Sequence, residues 1–252
     1  MKATLNTWIV TGAMGLFLAA GCAGPGTSPE QKDQLREGVW RATLTTESGS
    51  RIPFNFEVKT DSSVRYLEVI NGDNRLKVDE ITVSGDSVRF LMPFFDSEVI
   101  ALRQGDSLSG SWVKHLADRD AIMPFQAVRG VAYRFLEYPE PPIANISGRW
   151  ATGFVREGDT SIAIGELRQE ENRLTGTFLT PYGDYRFLEG TLSGNQLFLS
   201  SFDGGYATLF TATVTGDSTI SGGTFYSGRS GVKTWTARKD PDAKLPDANS
   251  LT

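Results

Sequence analysis

From residue 38 onward the chain is written in short runs, about five to ten residues each, rich in Val, Ile, Thr, Phe and Tyr. Some alternate cleanly. Phe54, Phe56 and Val58 fall on one side, and Asn55, Glu57 and Lys59 on the other. Tyr206, Thr208, Phe210, Ala212 and Val214 form a second such row. A period of two marks half-buried β-strands, and no long stretch shows a helical period. Turn signals separate the runs, among them Asn71-Gly72-Asp73, Ser84-Gly85-Asp86, Ser193-Gly194-Asn195 and Asp203-Gly204-Gly205. Gly, Asn and Asp tolerate the positive φ that tight hairpins need.

The pattern repeats. Gly38-Val39-Trp40 matches Gly148-Arg149-Trp150, Ser84-Gly85-Asp86 matches Ser193-Gly194-Asn195, and Phe95-Asp96 matches Phe202-Asp203. Gly105-Asp106-Ser107 matches Gly216-Asp217-Ser218, and Phe125 to Arg129 matches Trp235 to Lys239. All are separated by roughly 107 to 111 positions, so one strand-rich unit is present twice. The expected units are β domain 1 at 38–136 and β domain 2 at 146–240, with a Pro-rich linker at 137–145 and a tail at 241–252. The second unit divides into strands at 148–156, 160–168, 173–180, 184–193, 196–201, 206–215, 218–225 and 232–238. Eight short antiparallel strands joined by tight turns suit a closed barrel, which has no free edges. Two tandem homologous barrels are expected, with a β-sandwich as the alternative.

The first segment reads differently. Lys2 precedes a mostly apolar run, Trp8 to Ala20, which is too short to span a bilayer core of about 30 Å. It ends in Leu18-Ala19-Ala20-Gly21-Cys22, which resembles the bacterial lipobox. That resemblance implies a signal peptide at 1–21, lipidation at Cys22 and a soluble body hung from the membrane by acyl chains. Ala23 follows the Cys. Asp there would resemble an inner-membrane retention signal, so the outer membrane is the expected destination. Residues 22–37 are rich in Gly, Pro, Ser and charge and read as a flexible tether. A short helix over Pro29 to Glu37 is the competing reading.

Composition narrows the chemistry. A net charge of −5 argues against nucleic acid as a partner. One Cys excludes an internal disulfide and any paired-Cys redox motif, and one His excludes multi-histidine metal sites. No cofactor is expected and no catalytic constellation is visible, so the chain reads as a non-enzyme.

Gly148-Arg149-Trp150, Gly165-Glu166-Leu167, Asn172 to Phe178 and Val232 to Trp235 are similar to the rhythm of avidin-type and lipocalin-type barrels, where a Gly-x-Trp opens the first strand. Phe178 stands where a Tyr is expected, and the biotin-gripping residues are not identifiable. The whole body also resembles the N-terminal region of lipid-anchored TlpA-type thiol–disulfide reductases. Gly38 to Ala42, Ile52 to Phe56, Tyr133 to Phe135, Gly183 to Gly190, Ser201 to Gly204 and Leu245 to Asp247 carry that resemblance. It implies a redoxin domain with a Trp-Cys-x-x-Cys motif beyond Thr252. This chain has no redox cysteine, so it is expected to act as a docking module for a redoxin domain or another envelope protein. The alternatives are the truncated N-terminal part of such a reductase, or a lipocalin-like carrier of a small apolar ligand.

Within the body, Arg134 and Arg186 each sit between aromatics and are candidates for clamping an anion at a barrel mouth. The competing reading turns them outward. Trp112 and Trp235 are candidates for a ligand-lining wall, whereas Trp40 and Trp150 should plug barrel ends. His115 should be an exposed strand-end histidine. Asp96 and Asp203 should form turns in separate domains.

Overall fold

The computed structural model describes residues 34–246, which belong to one compact unit, and the main chain but not the side chain of Arg186. Signal, lipobox and Cys22 lie outside the described residues. Among the described residues every regular element is a β-strand, and all pairings are antiparallel.

The second half contains β10 (Gly148–Arg156), β11 (Asp159–Glu170), β12 (Arg173–Thr180), β13 (Gly183–Ser193), β14 (Gln196–Phe202), β15 (Ala207–Thr215), β16 (Thr219–Ser227) and β17 (Gly231–Lys239). They close into an eight-stranded barrel, with β17 pairing back onto β10. A ring, not a sandwich, satisfies every edge.

The first half has nine strands: β1 (Gly38–Thr45), β2 (Arg51–Asp61), β3 (Val64–Asn71), β4 (Asn74–Val78), β5 (Ile81–Ser84), β6 (Ser87–Leu91), β7 (Ser97–Gln104), β8 (Ser107–His115) and β9 (Asp120–Arg129). Their order, β4-β3-β2-β1-β9-β8-β7-β6-β5, is that of the second barrel with one interruption. In the second half β13 pairs β12 through residues 183–191 and β14 through 189–193, bending between the two. In the first half that shared strand is cut at Asp79-Glu80. Its first piece, β4, pairs only β3, and its second piece, β5, pairs only β6. The count of nine therefore comes from one strand split in two, and the first barrel is nearly closed.

The repeat extends to hydrogen bonds. Trp40 and Trp150 are both fully buried, and each indole donates to the carbonyl four residues earlier, Arg36 or Ile146, at 3.0 Å. Gly130 N donates to Val39 O and Asp240 N to Arg149 O, which ties the exit of each last strand to its first.

The two halves share a core. Phe202, Ala207 and Leu209 of the second half are buried among Phe54, Phe56, Trp112 and Phe125 of the first. Phe54 and Phe202 rings lie 4.4 Å apart. The buried Asn71 amide donates to Phe202 O at 2.7 Å and accepts from Phe202 N at 3.3 Å, imitating one rung of a sheet. These are not separate beads on a string.

Two connecting segments differ from expectation for the same reason. Residues 137–145 form an extended Pro-rich connection that is also docked on the second half. Glu140 N donates to Ser193 Oγ at 2.9 Å, and Glu140 O accepts from Asn172 Nδ2 and Gly194 N. The prolines keep this strap extended while neighbouring turns supply its hydrogen bonds. The tether does not run to residue 37, and residues 35–37 are not helical. Leu35 is fully buried, and its carbonyl accepts from Arg65.

Candidate functional site

Both barrels are filled. In the second, Phe154, Phe178, Phe210, Phe225 and Trp235 interlock, with ring centroids 4.4 Å apart for Phe210–Phe225 and 4.8 Å for Phe178–Phe210. In the first, the space between Phe54, Phe56, Phe90 and Phe125 is about 10 Å³, at the lower limit for a single water. A lipocalin-like carrier needs an internal calyx, and these side chains occupy the place it would take in each barrel.

Two sizeable cavities lie instead between the halves. One of about 700 Å³ is lined by Asn74, Leu76, Phe94 and Phe95 of the first half and Tyr185, Phe187, Asp203 and Tyr206 of the second, among others. A neighbour of about 600 Å³ continues past Gly72 and Thr175. Asn71, Asn74, Asp184 and Phe187 line both, so the two form one groove.

Two phenylalanines define this groove, one from each half. Phe94, in the turn between β6 and β7, has φ +68° and is 91% exposed. Phe187, in β13, has φ +55° and is 44% exposed. Positive φ is an outlier for a bulky side chain, and each instance costs about 1–3 kcal/mol. The Phe187 conformation has a visible cause. Gly176 pairs Leu188 and Phe178 pairs Tyr185, so Arg186 and Phe187 together oppose the single residue Thr177. Such a bulge re-aims a side chain, and here it turns Phe187 into the groove.

The polar lining is uneven in its commitments. Asp203 Oδ1 accepts from Gly205 N at 2.9 Å and Tyr206 N at 2.7 Å, which makes the turn expected of this residue. Its Oδ2 takes no partner among the described residues, and neither does the Asn74 side-chain amide. Lys114 Nζ sits 3.7 Å from the Tyr206 ring centroid and donates to Gly205 O. Tyr185 is half-buried, and burial pushes its phenol pKa up. Its ring joins the groove floor to the barrel core, 5.0 Å from Phe225.

Of the residues singled out from sequence, Trp112, Trp235, Arg134 and His115 lie outside this lining. Trp112 is buried, donating to Gly204 O at 3.1 Å, and Trp235 is buried, donating to Thr211 O at 3.2 Å. Both are core residues, not a ligand wall. Arg134 is neither a ligand clamp nor outward-facing. It is 6% exposed and pins the halves together through Ser200, Ile70 O and Glu189 Oε2, the last at 3.1 Å. Burial pushes its pKa down to about 10, partly opposed by the Glu189 carboxylate, so it stays charged at neutral pH. Asp96 and Asp203 come from different halves, but their turns meet. A Cβ on Gly205 would strike the Phe95 ring, and one on Gly204 would press on Met92. His115 ends β8 and bridges Asp120 at 2.8 Å and Glu98 at 3.3 Å. Glu98 also pairs with Arg89.

Sequence reasoning missed Phe94 and Phe187. The signals were Pro93-Phe94-Phe95, aromatics where a turn is ordinarily polar, and Phe187 beside the Arg that drew attention instead. Their convergence is tertiary and leaves no spacing to read.

No protein-family model and no curated protein matches the chain. Two solved structures are similar over much of their length. One, from Bacteroides fragilis NCTC 9343 and provisionally described as an outer membrane protein, is 11% identical, with 81% of this chain and 97% of that chain covered and a TM-score of 0.26. The other, a DUF3598-family protein of unknown function from Nostoc punctiforme PCC 73102, is 10% identical, with 81% and 96% covered and a TM-score of 0.28.

Proposed function

We propose that this protein is a lipid-anchored bacterial envelope protein whose two-barrel body is a non-catalytic binding module, with the inter-barrel groove as its ligand site. The observation that carries the binding reading is the pair Phe94 and Phe187. Two halves of one chain each hold a phenylalanine at positive φ, and both rings line the same cavity of about 700 Å³. Backbone strain of this kind clusters at ligand clamps and active sites, and concave apolar sites with a few polar groups are where ligands bind. The anchor reading rests on the leader and on Leu18 to Cys22. The non-catalytic reading rests on the sole Cys being the lipid acceptor and the sole His being held by two carboxylates.

An NMR fragment screen on the labelled body tests the site. Hits should perturb Asn74, Asp203 and Tyr206 and disappear in the Phe94→Ala, Phe187→Ala double variant. Hits confined to other surfaces would remove the groove from consideration. The anchor is tested separately, because Cys22→Ala should release the protein from membranes. The resemblance to TlpA-type reductases would set the module beside a redoxin domain. An in-frame Trp-Cys-x-x-Cys in the DNA after Thr252 is the outcome that reading requires.

A further inference from the structure

Resting on the anchor reading above and independent of the groove, we propose that the outer face of β7, β8 and β9 is a membrane-contact surface, held against the headgroup boundary of the bilayer when the anchor is inserted. Ile100 and Leu102 of β7 and Ile122 and Val128 of β9 alternate with buried neighbours and are each 44% to 57% exposed. Across the sheet, Ile100 meets Ser111 and then Pro124, and Leu102 meets Ser109 and then Gln126. The apolar side chains therefore form one contiguous group, and the residues between them are neutral.

Single exposed apolar residues are ordinary on a protein surface, but the duplication supplies an internal control. Arg103 N donates to Asp86 O, and Val214 N donates to Asn195 O, which aligns β7 with β15. Ala127 pairs Ala42 and Ala237 pairs Thr152, each two residues past the buried Trp, which aligns β9 with β17. On that alignment Ile100, Leu102, Pro124 and Val128 correspond to Thr211, Thr213, Thr234 and Arg238. The inward positions stay apolar in both copies: Val99 and Ala101 match Phe210 and Ala212. Both cores are conserved by the fold's own packing, while one outer face is polar and its sister is apolar. Folding alone asks for neither, so the apolar version answers to something outside the barrel.

Size and tether select the occupant. Three adjacent strands, followed from Ile122 to Val128, cover about 10 Å by 20 Å. That is about a quarter of the 800 Å² or so that each partner buries in a stable protein complex, so the face is too small to hold a second copy by itself. A weak contact suffices where a tether keeps the surface near. The chain enters the described body beside this face: Gln34 O accepts from Arg103, the residue after Leu102, at 2.6 Å, and Arg36 pairs with Asp106 in the β7–β8 turn at 3.0 Å. Cys22 lies twelve residues before Gln34, so a lipid on it stays within about 40 Å of that turn. Apolar side chains then enter the headgroup boundary with no charge to desolvate, and binding scales with the apolar area buried.

The test uses the lipidated protein in phosphatidylcholine vesicles. Cys22 is the sole Cys and carries the lipid, so an introduced Cys is the one thiol open to a nitroxide label. Ser109→Cys puts the label between Leu102 and Gln126, and Thr236→Cys puts one on the matching face of the second half. Oxygen partitions into lipid and a soluble nickel chelate does not. The ratio of oxygen to nickel collisions should be several-fold higher at 109 than at 236, and the same at low and high salt. Installing the second half's residues, Ile100→Thr, Leu102→Thr and Val128→Arg, should bring the ratio at 109 down to that at 236 without changing the melting temperature. Equal ratios at the two positions, while the protein still sediments with the vesicles, would overturn the membrane-contact surface and leave the anchor standing. Shielding at 109 that vanishes on dilution into excess lipid would assign the face to a second copy and overturn it too. Failure to sediment would remove the anchor and the surface together.

Discussion

At the residue scale, the informative positions are those where side chain and backbone disagree. Phe94 is 91% exposed, so it gains little from burial while bearing a left-handed backbone. Glycine carries no such penalty. Phe94→Gly should therefore raise unfolding free energy by about 1 kcal/mol in urea denaturation while weakening ligand binding, the trade expected of a functional residue. His115 presents a different conflict. The hydrogen bond to Asp120 raises its pKa above the ordinary 6.5; desolvation opposes this in part, and the weaker bond to Glu98 adds to the rise. The folded chain then holds this proton more tightly than the unfolded chain. The resulting stability is complete below pH 6.5 and fades as pH rises through the higher folded value. The melting-temperature gap between wild type and His115→Ala should shrink as pH is raised from acid toward about pH 8. A gap that widens would contradict the bridge to Asp120 and Glu98.

At the element scale, strands were legible because their side chains answer to a period of two. All eight strands assigned to the second half are present within a residue or two, and each turn glycine closes the hairpin it was assigned to. The turns marked by Gly85 and Gly194 even share their backbone, with φ +59° and +54°. What the period could not convey is where a strand bends. β13 serves two neighbours as one strand, while its counterpart is cut into β4 and β5, and nothing in the alternation of either segment forecasts the difference. The bulge at Arg186-Phe187 was equally hidden. The connecting segments were misjudged because composition reports a segment's own preferences, not the carbonyls waiting beside it. Arg134 shows this most sharply. Glu189 Oε2 accepts from both Arg134 and Gly72 N, and Oε1 accepts from Arg173, so one carboxylate gathers three donors from both halves. Arg134→Ala should cost about 3–5 kcal/mol by chemical denaturation, because it leaves buried partners unmatched. Arg134→Lys should recover little of that, since an ammonium cannot fork between Ser200, Ile70 and Glu189.

At the scale of the whole molecule, a duplicated sequence has become a single cooperative body. The first barrel's core is completed by Phe202, Ala207 and Leu209 from the second. Residues 34–136 alone should fail to give a cooperative unfolding transition, and the full body should unfold in one calorimetric step. Two well-separated transitions, or a natively folded N-terminal half, would contradict a shared core. The same joint that fuses the halves makes the groove, because the turns carrying Phe94 and Phe95 on one side and Asp203 and Tyr206 on the other pack edge to edge.

Strand identity, hairpin position, the doubling of the unit and its barrel class were all local matters. They depend on alternation, turn chemistry and repetition, and each is written in consecutive residues. The groove, the role of Arg134 and the completion of the first barrel's core depend on residues far apart in the chain meeting at the joint between halves, and the docking of the strap at 137–145 and the filling of the second barrel on distant residues meeting within one half. Proximity of that kind is set by how the two curved surfaces pack and by which buried polar groups find partners there, and no run of neighbouring residues encodes it.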